Sequence, residues 1–184
     1  MPNVVEDFFE NPTASLVTIR CYPWSAGDKA LLMGDASHAI VPFYGQGMNA
    51  GFEDCYLLNQ VADELNEDWP KVIHEFEAKR KPDADAIADL ALRNFIEMRD
   101  LVVDEHFLLQ KKVEKAIHQK HPDYLPLYSM VTFSELPYSV ALEKGRQHDA
   151  FFQKQPNLKQ VAENLETAEA QAQLENWFQE LKQL

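Results

Sequence analysis

At 184 residues, 46% of them hydrophobic, the chain is long enough to bury a core of its own, and one domain is the ordinary expectation. A net charge of −13 argues against nucleic acid and anionic membrane surfaces as partners. No apolar run of about 18 residues is present to span a bilayer, and the acidic start MPNVVEDFFENP lacks the basic and apolar regions of a signal peptide.

In chain order, residues 15–22 (SLVTIRCY) alternate Leu16, Thr18 and Arg20 against Val17, Ile19 and Cys21, the period of a strand. Pro23 and Gly27-Asp28 supply a turn, and residues 29–33 have the apolar character of a buried strand. That run stops at Gly34-Asp35. Four of the six glycines, Gly34, Gly45, Gly47 and Gly51, fall within residues 31–60, LLMGDASHAIVPFYGQGMNAGFEDCYLLNQ. Strand, acidic turn, glycine loop and helix start form a place where backbone N–H groups can face a ligand, backed by the helix dipole. By spacing alone this is either a phosphate- or cofactor-type loop or a tight loop that serves packing.

After Gln46 the spacing is helical. A first helix is expected over residues 47–65, and a second opens at Asp68-Trp69-Pro70 and ends near Arg80. Lys81-Pro82-Asp83 is expected to break it, with a third helix over residues 84–103 and a fourth over 104–120. Residues 124–133 (YLPLYSMVTF) are expected to be irregular or partly extended. A further helix follows Pro137 to about Gln153, and a terminal amphipathic helix carries Leu158, Val161, Leu165, Ala168, Ala172, Leu174 and Phe178 on one side. Two adjacent strands cannot make a stable sheet alone, and no GxGxxG fingerprint follows either of them. Cys21 and Cys55 lack metal-ligand spacing and suit reduced thiols of a cytoplasmic protein.

The string GDASHAIVPFYGQGMNAGFEDC resembles the second flavin-binding motif of the FAD-dependent aromatic hydroxylases, and HAIVPFYGQGMNAGFEDC is most similar to the kynurenine-hydroxylating branch. The resemblance runs from Met1 to about Lys154. It implies an α/β fold: the C-terminal part of such a hydroxylase, two strands followed by a mostly α-helical region. Residues 1–66 would be the end of the substrate sheet with the flavin motif and its helix, residues 67–154 a helical region lining the substrate pocket, and residues 155–184 a terminal helix. The glycine-rich FAD fingerprint would lie in an N-terminal remainder, the partner this chain lacks. The implied cofactors are FAD and NADPH, and the implied reaction is hydroxylation of L-kynurenine to 3-hydroxykynurenine, in tryptophan degradation.

By the same resemblance, Gly34 leaves room for the cofactor and Asp35 accepts a hydrogen bond from its ribityl chain. A carboxylate suits that role as a charge-assisted acceptor. Pro42, Gly45, Gln46, Gly47, Met48 and Asn49 would hold the flavin ring end, where backbone dipoles favour its negative form. Phe43, Tyr44, Asn94 and Tyr128 would hold a small aromatic amino acid. Glu97, Met98 and Arg99 share the Asn94 segment, and Arg99 could pair with a carboxylate. His38 is given a structural post bonding neighbouring backbone. Glu53 and Asp54 receive no function, and no residue is assigned as catalytic or metal-binding. A hydroxylase for another aromatic acid and a non-catalytic helical fragment remain the alternatives.

Overall fold

From residue 47 onward the 3.6-residue apolar period sets the architecture. The computed structural model describes residues 2–184. Its helices are α1 Val4–Glu10, α2 Asp35–His38, α3 Gly47–Glu64, α4 Trp69–Arg99, α5 Glu105–Lys120, α6 Leu127–Phe133, α7 Tyr138–Gln153, α8 Leu158–Glu163 and α9 Ala168–Leu181. Short 3₁₀ turns stand at Pro42–Tyr44 and Leu101–Val103.

The two strands are not formed, and the α/β class is corrected to an essentially helical one. Among the described residues the strand-type pairing is a single antiparallel bridge, Ser25 to Leu31. Residues 15–22 have no helical or strand pairing, Leu16 and Val17 are exposed, and a bond from Ile19 N–H to the Ala39 carbonyl (2.8 Å) ties the segment down. Leu32 is also exposed, so residues 29–33 are covered on one side only. Alternation records which faces a strand would bury, but a sheet needs neighbours to take its backbone groups. What anchors this region is Trp24, 2% exposed against Phe76 and Ala84. Its backbone N–H is held by the Glu77 carboxylate, which also accepts from Ser25 Oγ at 2.9 Å.

The break at Pro82 does not occur; α4 runs through it for 31 residues. A proline frees the carbonyl four residues back, here that of Ala78, and both positions are exposed, so water can serve it. Burial of Val72, Phe76, Ile87 and Leu90 along the same helix holds both halves in line against α3 and α7. Residues 124–133 also differ from expectation, since they include α6, which buries Leu127, Met130 and Val131. The terminal helix is two helices: α8 ends at Glu163, and Thr167 caps α9, its Oγ1 accepting from Ala170 N–H at 3.2 Å. Ala168 and Ala172 face solvent, and Ala170, Trp177 and Leu181 are buried instead.

Two principal cores result. One joins the middle of α4 to α6 and α7 around Ile87, Leu90, Leu127 and Leu142. The other joins the end of α7 to α5, α8 and α9 around Val113, Ile117, Phe152 and Trp177. Where α6 meets α7, Gly145 is required for close approach, because an added Cβ would lie 2.8 Å from Leu127 Cδ1. Gly145→Ala should therefore lose stability by about 1 kcal/mol: overpacking costs about 1–3 kcal/mol and the helix-propensity gain offsets about 1. Urea denaturation checks this, and a stabilised variant would contradict the contact. No helix of the described residues is long and apolar enough to cross a membrane.

Candidate functional site

Gly34 ends the Trp24 segment at φ +56° and ψ −141°, a conformation open essentially to glycine. Its carbonyl accepts from the N–H groups of Ser37 and His38, both at 3.0 Å, and so starts α2. Its own N–H donates to Asp54 Oδ2 at 2.7 Å. Asp54, fully buried on α3, also receives His38 Nε2 at 2.7 Å and Arg80 Nε at 2.6 Å. Arg80, buried on α4, reaches the Ala50 carbonyl at 2.9 Å and Glu53 at 3.0 Å. Burial works to raise the Asp54 pKa, but the bonds from His38, Arg80 and Gly34 outweigh it and hold the carboxyl below its ordinary value. His38 is thus structural, held by a carboxylate rather than by neighbouring backbone.

The turn leaves Asp35 exposed at the start of α2. Beyond it, Pro42–Tyr44 closes on Gly45, whose left-handed conformation (φ +69°) returns its N–H to the Pro42 carbonyl at 3.0 Å. Gln46 is the N-cap of α3, and its side chain turns inward, accepting from Asn49 Nδ2 at 2.7 Å and the Tyr138 hydroxyl at 3.3 Å. The N–H groups of Gly47, Met48 and Asn49 find no acceptor among the described residues. An 18-residue helix stands behind them, so this end is suited to negative charge.

On the other side of the loop lies a cavity of about 420 Å³, within the range of small-molecule sites. Tyr44, Asn94 and Tyr128 come together in its wall, with Glu97 and Met98. The Tyr44 and Tyr128 rings stack with centroids 5.6 Å apart. Burial, then the charge of Glu97, pushes the Tyr44 hydroxyl well up from its ordinary pKa, so it stays a neutral donor. Asn94 spends its amide N–H on the Phe43 carbonyl at 2.7 Å, and so pins the loop to α4. Phe43 packs on Phe95 (4.6 Å between centroids) and does not line the cavity, and Pro42 is exposed. Arg99 also lies outside it, bonded to Asp100 at 2.6 Å and over the Phe95 ring.

Sequence reasoning missed the charged wall supplied by α5. Lys111, Glu114, Lys115 and His118 face the cavity from that helix, with Lys111 paired to Glu114 at 2.9 Å. Across it, Glu97 is held by Arg93 at 2.7 Å. The wall thus offers charges of both signs beside aromatic faces. Positions three and four apart on the fourth helix carried the signal, but the other face of that helix was equally charged.

Residues 2–91 match the family described as an FAD binding domain. The chain is, more particularly, a homologue of proteins named kynurenine 3-monooxygenase. It is 57% identical to the one from Flavobacterium johnsoniae over 146 residues, 79% of this chain and 33% of the relative. It is 51% identical to that of Flavobacterium psychrophilum over 170 residues, 92% of this chain and 38% of the relative. To the Anopheles gambiae protein it is 49% identical over 140 residues, 76% and 29% of the two chains. The chain therefore spans about a third of the length of the curated relatives it matches.

Proposed function

We propose that the chain forms the flavin-ring and substrate side of an FAD-dependent, NADPH-consuming hydroxylase of L-kynurenine. The observation that carries this is adjacency: unspent N–H groups at the α3 start and a cavity walled by Tyr44, Asn94 and Tyr128 share one loop. FAD, when bound, supplies the redox and oxygen chemistry, with NADPH as reductant. The chain's own groups bind and orient. Asp35 accepts from a ribityl hydroxyl beside Gly34, and the Gly45–Gly47 backbone with Met48 and Asn49 meets the negative ring edge. Tyr128 and the Asn94 oxygen hold the amino-acid end of the substrate, and the aromatic pair keeps water from the reacting ring. Residues 1–66 serve as the flavin part, residues 67–154 as the pocket lining and residues 155–184 as a terminal support.

An upstream portion with the FAD fingerprint completes the site and covers the outer face of α3. Met48, Phe52 and Tyr56, spaced four apart, are all exposed there, as are Leu16 and Val17. The isolated chain should accordingly bind FAD weakly or not at all, and submicromolar affinity in a flavin titration would contradict this division. In a protein with both portions, Asp35→Ala should weaken FAD binding by about 1.5–3 kcal/mol, the scale of a charge-assisted hydrogen bond. Unchanged flavin retention on gel filtration would count against the role.

Asn94→Ala and Tyr128→Phe in that protein should each weaken kynurenine binding about five- to a hundred-and-fifty-fold, or roughly 1–3 kcal/mol. Asn94→Ala should also lower the melting temperature, because it releases the Phe43 carbonyl. Tyr128 is half-exposed, so its variant should melt as the parent does. Unaltered kynurenine affinity in both would favour a hydroxylase for another aromatic acid.

A further inference from the structure

A second, smaller cavity of about 180 Å³ opens where α7 and α9 meet the turn before α6. Neither Tyr44, Asn94 nor Tyr128 lines it. Its floor is apolar, from Phe178 and Leu181, and its polar groups are Asp123, Tyr124, Lys144, His148 and Lys182. Lys182 is paired with Asp123 at 3.3 Å, both at the exposed rim. Lys144 is half-buried and meets no carboxylate within ion-pair reach among the described residues. In a chain of net charge −13, the lining carries one more positive charge than negative.

His148 is 7% exposed and stacks on Tyr124, ring centroids 5.3 Å apart. Its Nδ1 lies 3.5 Å from the Tyr124 hydroxyl, and its Nε2 carries no hydrogen bond among the described residues. Burying an imidazole and a phenol calls for partners, and this pair has only one long contact between them. Burial, with the charge of Lys144, pushes the His148 pKa down to about 4, so the ring is neutral at ordinary pH and keeps one N–H to donate. Burial likewise raises the Tyr124 hydroxyl and keeps its proton.

We propose that this cavity binds a small oxyanion, a carboxylate or phosphate group, with Lys144 and Lys182 supplying the charge and His148 the hydrogen-bond donor through Nε2–H, its Nδ1 accepting from the Tyr124 hydroxyl. At about 180 Å³ against about 420 Å³ for the larger cavity, the volume suits inorganic phosphate or acetate. The site is independent of the flavin reading, since no residue of the glycine-bounded loop or of α3 lines it.

The test is proton NMR of the 184-residue chain, following the His148 ring resonances, which are identified by their loss in His148→Gln. Sodium phosphate and sodium acetate are titrated separately at neutral pH and constant ionic strength. A saturating shift is expected with at least one of them, and the arm that saturates at lower concentration identifies the group. Lys144→Met should raise the midpoint about tenfold, the scale of one charge-assisted contact, with an unchanged circular dichroism spectrum. Lys182→Met, at the exposed rim, gives a second reading should Lys144→Met fold poorly. Shifts that only drift linearly with both salts, or a midpoint unchanged by either lysine variant, would overturn the proposal.

Discussion

Asp54→Ala should bring the chain to the edge of unfolding, with a loss of about 3–5 kcal/mol against the usual total of 5–15. The variant strands three donors together: the buried Arg80 Nε and His38 Nε2 and the part-buried Gly34 N–H. Arg80 would keep Glu53 and the Ala50 carbonyl, but the Glu53 side chain is 49% exposed and cannot replace a fully buried carboxylate. Because the folded-state pKa of Asp54 is depressed, its contribution is present above the unfolded value near 3.9 and fades as pH falls through the lower folded value. The parent should thus lose stability on acidification below about pH 4, and the variant should show a shallower acid limb. Urea denaturation at neutral and acid pH reads both. A loss of under about 1 kcal/mol would mean that the three donors find water or other partners. Since Asp54 holds the Gly34 turn, any variant that still folds should present Asp35 less precisely.

Trp177→Ala should cost about 3–5 kcal/mol through the cavity it leaves. The indole is 1% exposed, meets Phe152 and Phe151 edge-on at 6.0 and 6.5 Å, and donates to Gln155 Oε1 at 3.2 Å. The loss falls on the core of α5, α8, α9 and the end of α7, a cluster distinct from the α4–α6–α7 core although α7 runs through both. Amide hydrogen exchange should therefore show protection lost first in α8 and α9, while α3 and α4 keep theirs. Uniform loss across the chain would show the two cores to be one cooperative unit.

The extent of each helix depended on how far local signals compete with packing. For α3 and α7 the boundaries agree closely with the apolar period and the flanking Gln46 and Pro137. At Pro82 a strong local stop signal was overridden, since the freed carbonyl faces water while both halves of α4 bury apolar side chains. At residues 127–133 the opposite held: an apolar run too short to show a period became α6 once α7 and α4 were there to receive it.

What the amino-acid order alone determined is local: the glycine-bounded loop, the helix behind it, and the residue types of the candidate pocket. Gly45 closes on Pro42 within its own turn, whereas Tyr44, Asn94 and Tyr128 stood out through the resemblance of their segments to the aromatic hydroxylases. Tertiary structure decided what those groups meet. It set Asp54 against an arginine 26 residues away, turned Gln46 inward to Tyr138, spent the Asn94 amide on Phe43 and brought the α5 charges to the cavity. It also denied residues 15–22 and 29–33 a sheet. Periodicity states that a face is to be covered, whereas the covering element is chosen by burial and hydrogen bonding between segments distant in sequence.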